Sequence, residues 1–237
     1  SVRGLQKIRS DIFRPGFSFS SIRLRFRELV PLSLPLTANR VLLGLLQGIE
    51  AVSIPGCLKL YNHSTSEALS TYGVLTGMAL PCILFPSAIT NSVSIMLMPT
   101  VAELQVKDQA SGIRKLLQKV LGSCFLMGLF CCLFFLFFGQ LIGQFLFASD
   151  LAGNFIITLA WICPFLYVNG SLLSVLNGFG KTTTSFTINM VGLAIRIGSV
   201  FFAIPVFGIQ GYLWGLLISQ LAVSICCSVV LKHLISA

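Results

Sequence analysis

Residues 29–58 read LVPLSLPLTANRVLLGLLQGIEAVSIPGCL. About 20 apolar residues in helix cross a bilayer core, and this run is longer than that. It is not uniformly apolar: Asn39, Arg40, Gln47 and Glu50 sit inside it. At the helical turn angle these four polar groups share an arc about 100° wide. A charge near a helix centre costs roughly 2.5–3.5 kcal/mol on insertion scales. That cost is avoided when the arc faces protein or water. The helix is therefore expected to line something polar within the membrane, and further spans must help to build it.

The composition agrees. Of 237 residues 55% are hydrophobic and only 10% charged, where a soluble domain carries about 25% charged residues. The 20 phenylalanines suit lipid-facing helix surfaces. A net charge of +9 raises nucleic acid as a partner, but the basic residues cluster at span ends, where they orient a membrane protein. No nucleic-acid partner is expected. The eight cysteines lie almost entirely in apolar runs without CxxC or His/Cys ligand spacing. They are read as small packing residues, with no metal site and no disulfide framework.

Six spans are expected, an all-α polytopic lobe over residues 29–233. Residues 1–28 precede it, with Arg3, Lys7, Arg9, Arg14, Arg23, Arg25 and Arg27. They read as a basic amphipathic linker on an anionic leaflet or as a solvated tether. The chain starts at Ser1 without Met and is expected to be a fragment or a processed chain. The second span is expected over residues 69–99, kinked at Pro81 and Pro86. A charged loop with Glu103, Lys107, Asp108, Arg114, Lys115 and Lys119 should follow. The third span, residues 116–138, is apolar all round and should be peripheral. An interfacial turn over 139–151 leads to the fourth, 152–178, whose Gly170, Ser171, Ser174, Asn177 and Gly178 share a face.

The fifth span, residues 183–207, carries Ser185, Asn189, Gly192, Arg196 and Ser199 at steps of 4, 3, 4 and 3, one side of a helix. The sixth, residues 209–231, opens with Gly211, Gly215 and Ser219, a spacing that lets helices approach closely. Residues 234–237 form a tail. The basic residues outside the spans fall on one side of this topology, Lys59 alone excepted. Both termini are thus expected in the cytoplasm. Tyr61, Tyr72, Trp161, Tyr212 and Trp214 would form an outer aromatic belt.

Few motifs carry chemistry. GFGKTTT at residues 178–184 contains GKT, but a phosphate-binding loop needs glycine where Val175 stands. The sequons at Asn62 and Asn169 are weak signals, and Asn169 lies within a span. No nucleophile triad or paired carboxylate is present, so catalytic residues, a cofactor and an enzyme activity are not expected. Intramembrane Arg40, Glu50 and Arg196 are candidates for a substrate path; a closed salt bridge joining helices is the other reading. Gln47, Asn39, Asn91 and Asn189 join them as candidate cavity residues, or as amides that only bridge helices.

Four stretches follow one another in a familiar order: PLTANRVLLGLLQGIEAVSIPGCL (35–58), EALSTYGVLTGMALPCILFPSAITNSVSIMLMPTVAE (67–103), NGFGKTTT (177–184) and IPVFGIQGYLWGLLISQ (204–220). Together they resemble the stage V sporulation protein B-like branch of the oligosaccharide flippases. That branch falls within the multidrug/oligosaccharidyl-lipid/polysaccharide flippase superfamily. The resemblance covers about residues 25–233. It implies a fold of two six-helix lobes related by a pseudo-twofold, of which this chain looks like the second, with a missing N-terminal lobe as partner.

The implied activity is movement of a polyprenyl-diphosphate-linked oligosaccharide or cell-wall precursor across the cytoplasmic membrane by alternating access. Arg40 and Arg196 would then hold the diphosphate through charge-assisted hydrogen bonds, and Glu50 would set the local charge or exchange a proton. A drug or cation exporter of the same superfamily would want acids to dominate the cavity. A membrane glycosyltransferase or polymerase would need a catalytic loop or metal. A fragment that only pairs with the missing lobe is a further alternative.

Overall fold

In a computed structural model the described residues are 41–61, 64–106 and 110–236. The expectations for residues 1–40, including Asn39, Arg40 and the basic linker, and for the sequon at Asn62, lie outside them. All regular elements among the described residues are helices. They are α1 Val41–Leu60, α2 Thr65–Leu84, α3 Ser87–Val106, α4 Ala110–Phe147, α5 Asp150–Ala160, α6 Cys163–Gly178, α7 Thr182–Phe202, the single turn α8 Ile204–Phe207 and α9 Ile209–Ser236. Five are long and apolar enough to cross a membrane alone, and α5 with α6, bent by 55°, raises the number to six if the pair is one span. The chain is an all-α polytopic membrane protein. Residues from Leu46 onward form one compact unit, and the packing below is of that unit.

The second span is broken as well as kinked. Its start is set by a capping box: the Ser64 hydroxyl accepts from the Glu67 N–H, and the Glu67 carboxylate accepts from the Ser64 N–H. Ahead of Pro81 the helix widens into a π turn over Leu75–Ala79, where the Leu80 N–H reaches back to the Leu75 carbonyl. At Phe85–Pro86 it breaks, because Pro86 has no N–H to continue the ladder. The freed polar groups find side-chain partners, as a lipid environment demands. The buried Tyr167 hydroxyl donates to the Ile83 carbonyl at 2.9 Å, and the Ser87 hydroxyl donates to the Leu84 carbonyl at 2.6 Å. Thus α2 and α3 form one broken course that packs along the other, α5 and α6.

Three expected boundaries move. The charged stretch after the second span is mostly helix, with α3 reaching Val106 and α4 starting at Ala110. Lys, Arg, Leu and Gln are good helix formers, and Ile113 and Leu117 give this stretch a buried face. The turn expected over 139–151 shrinks to Ala148–Ser149. Ser149 caps α5 by accepting from the Ala152 N–H, while Gln144 of α4 donates to the Asp150 carboxylate at 2.9 Å. The fifth span ends at Phe202, because Pro205 and Gly208, at φ +62°, impose a separate turn.

The third span, α4, is peripheral as expected: Phe125, Phe130, Phe134, Phe137 and Phe145 are exposed. Its inner face is small. A Cβ on Gly128 would lie 2.6 Å from the Pro164 Cα, and Cys131, Cys132 and Cys163 are buried beside it as free thiols. The GFGK stretch is a helix end. Gly180, at φ +74°, donates to the Asn177 carbonyl, and the Lys181 N–H returns to the Leu176 carbonyl, closing α6 with a Schellman turn.

Two apolar cores fill the bundle. One gathers Ile54, Leu58, Ile83, Phe155, Tyr167 and Leu213. The other gathers Leu97, Val101, Leu117, Leu172, Leu176 and Val223. Polar contacts lie along the helices between them. Ser94 and Ser171 share a hydrogen bond at 2.9 Å, and the Asn169 amide donates to both oxygens of Gln220.

Candidate functional site

The face that α1 turns into the bundle is Glu50, Ile54, Cys57 and Leu58, all buried. Their spacing of 4, 3 and 1 is one stripe of a helix, so Glu50 enters the protein because it continues an apolar stripe. The carboxylate is only 3% exposed. Two other helices supply its partners. Arg196 of α7 donates from Nε to Oε1 at 2.9 Å and places Nη2 2.8 Å from Oε2, a two-pronged bridge. The Tyr212 hydroxyl of α9 donates to the same Oε1 at 2.8 Å. Helices 146 and 162 residues apart in sequence are thereby joined at one carboxylate.

The contact between α7 and α9 depends on small residues. A Cβ on Gly192 would lie 2.6 Å from Val223 Cγ2, and the Ser219 hydroxyl donates to the Gly192 carbonyl at 2.8 Å. A Cβ on Gly215 would overlap the Ser199 side chain, and one on Gly211 would lie 2.6 Å from the Ala203 carbonyl oxygen. The ridge Gly211, Gly215 and Ser219 thus seats α9 directly on α7, one turn after another. With the axes that close, Tyr212 and Arg196 reach one point.

In low dielectric a carboxylate needs a counter-charge, and the fork geometry of Arg196 supplies charge and direction together. The bridge is closed and its formal charge cancels. Arg196 is nevertheless 26% exposed, and the pairing engages Nε and Nη2 of its five-donor guanidinium. One edge of the site is therefore accessible.

The structure brings together Glu50 and Arg196 among the expected site residues, and adds Tyr212. Gln47 is exposed on α1. Asn189 is half-buried on α7, two turns before Arg196. Asn91 is exposed on α3 and its Oδ1 faces Gly170, 3.3 Å from where a Cβ would stand. It borders the second polar contact region rather than the bridge. Tyr212 is buried against Glu50 and so is not a belt residue, whereas Trp161 and Trp214 are exposed. The sequence held one signal for Tyr212: it follows Gly211, the first residue of the close-packing ridge. Asn169 is buried and bonded to Gln220, which removes it from consideration as a glycosylation site.

The chain is 26% identical over 188 residues to stage V sporulation protein B of Bacillus subtilis (strain 168), a match covering 78% of this chain and 36% of that protein. It is also 26% identical over 93 residues to sporulation protein YkvU of the same organism, covering 39% of this chain and 21% of that protein. The matched region thus spans about a third or less of the length of these relatives. No protein-family profile matches. No solved structure matches.

Proposed function

We propose that this chain is one six-helix lobe of a flippase that carries a polyprenyl-diphosphate-linked sugar across the plasma membrane. The observation that carries the reading is the Glu50–Arg196–Tyr212 cluster, a charged site inside membrane helices with one accessible edge. Intramembrane charges default to substrate or ion paths. The similarity to stage V sporulation protein B supports the same reading, as do two broken helical courses, a common feature of transporters. Both relatives' names place them in sporulation, and a lipid-linked glycan precursor is the cargo class of this proposal.

Arg196 trades the Glu50 carboxylate for diphosphate oxygens as two lobes rock past one another, and Arg40 supplies the second cation. Two arginines against one glutamate favour an anionic cargo over the cations that a drug exporter moves. The partner is an N-terminal lobe, without which the single lobe does not transport. The closed, two-pronged geometry favours one rival reading, a clasp that only joins three helices.

The test measures flipping of a fluorescent polyprenyl-diphosphate sugar in liposomes. The 237-residue chain alone is expected to be inactive. In a complete two-lobed protein, Arg40→Ala is expected to abolish flipping with abundance nearly unchanged. Glu50→Gln with Arg196→Gln is expected to stay folded and lose flipping. Normal flipping by that pair would leave the bridge a clasp and sink the cargo role.

Orientation belongs to the same reading: both termini face the cytoplasm, from the asymmetry of basic residues. In a cysteine-free background an impermeant thiol reagent added outside should label Ser66→Cys and miss Lys115→Cys. The reverse pattern would invert the topology.

A further inference from the structure

Far from the bridge, the start of α4 and the end of α9 leave a groove of about 310 Å³. That is the lower end of the range for built ligand sites. Arg114 and Lys232 line it together with Leu117, Leu121, Leu172 and Leu231. The two cations lie at the same level, because Arg114 is near the start of the apolar stretch Gly112–Phe147 and Lys232 near the end of Ile209–Leu234. Both residues line the groove, and Leu117 and Leu231 share one core. From Arg114 to Leu121 the helix rises about 10 Å, so the walls run from the membrane interface into the upper part of one leaflet.

The two cations stand at the shallow end, where a phosphate sits; about one turn deeper the Gln118 amide and the Ser228 hydroxyl lie beside Leu117 and Leu231, and Leu121 is deeper still on α4. Among the described residues no carboxylate lines the groove. A basic residue that served orientation alone needs no groove beside it. Arg114, Leu117, Gln118 and Leu121 form one face of α4, at steps of 3, 1 and 3. Lys115 and Lys119 are exposed on the same turns and do not line the groove.

We infer that this groove is a binding site for an anionic glycerophospholipid of the surrounding bilayer, its phosphate between Arg114 and Lys232 and one acyl chain along the leucine walls. The site is independent of transport and of which side the groove faces. Basic pockets between spans hold phosphate headgroups on this principle.

The whole chain, purified in detergent, is offered equimolar phosphatidylglycerol and phosphatidylcholine, and bound lipid is counted by native mass spectrometry. Phosphatidylglycerol is expected to be retained at least fivefold over phosphatidylcholine, since each interfacial cation changes binding by roughly that factor. Arg114→Gln with Lys232→Gln should erase the preference. Lys115→Gln with Lys119→Gln, the same charge change outside the groove, should keep it. Ser228→Trp fills the groove one turn below Lys232 without altering charge and should also erase it. All five positions are exposed, so the substitutions remove no buried side chain, and each variant's melting temperature is compared with the wild type before lipid is counted. No preference in the wild type, equal loss in both glutamine pairs, or a preference that survives Ser228→Trp would overturn the assignment.

Discussion

Glu50→Ala is expected to destabilise the bundle by about 3 kcal/mol, measured by thermal unfolding of the purified chain in detergent. Breaking a buried ion pair by removing one partner costs roughly 3–5 kcal/mol. The lower end applies because Arg196 keeps 26% exposure and recovers some hydration. The loss has two sources: Arg196 is left among apolar neighbours without its acceptor, and the Tyr212 hydroxyl loses its only described acceptor, Glu50 Oε1. Tyr212→Phe deletes one hydrogen bond to a charged group and is expected to cost about 1.5–3 kcal/mol. Replacing both charges, Glu50→Leu with Arg196→Met, should recover most of the stability, since well-packed apolar pairs often equal a buried bridge. If Glu50→Ala unfolds within a degree of the wild type, the bridge contributes nothing, and its description as the joint of three helices fails.

The second large effect lies on the ridge that makes that joint possible. Gly211→Leu is expected to cost about 3 kcal/mol or more and to reduce the amount of protein recovered from the membrane. Overpacking ordinarily costs roughly 1–3 kcal/mol, but here even the first added carbon meets backbone. A Cβ would stand 2.6 Å from the Ala203 carbonyl oxygen and 2.7 Å from its carbon, so α7 and α9 must separate. Separation also pulls Tyr212 from Glu50. Gly48→Ala and Gly198→Ala are the controls. Nothing lies within 4 Å of a Cβ at either position, and alanine in place of glycine within a helix stabilises by about 0.5–1 kcal/mol. Equal behaviour of Gly211→Leu and the controls, in recovery and in melting temperature, would contradict the direct seating of α9 on α7.

These two results bear on different parts of what the chain encodes. That the chain crosses a membrane several times was legible, because apolar length is a local property that a bilayer reads directly. So was a close helix contact on the sixth span, since Gly211, Gly215 and Ser219 recur every four residues; that α7 is the partner came only from the packing. The fate of a polar residue was less legible. Glu50 and Gln47 fall on the same arc of α1, yet one is buried and the other exposed. Position on a helix gives direction, not the depth to which a neighbour covers it.

Sequence alone, then, determined an all-helical membrane protein with charges that had to be satisfied inside it, because a buried charge carries a cost whatever surrounds it. It also pointed to the break at Pro86, which lacks an N–H wherever it folds, whereas the break before Pro205 was not expected. Tertiary structure decided which groups answer those demands. The partner of Glu50 lies 146 residues away, and Tyr212 became its hydrogen-bond donor because the glycine ridge beside it brings two helix axes close. Likewise the Tyr167 hydroxyl serves the carbonyl freed at Ile83, 84 residues earlier. Contacts at such separations follow from how helices pack in three dimensions, and no periodicity within a single helix contains them.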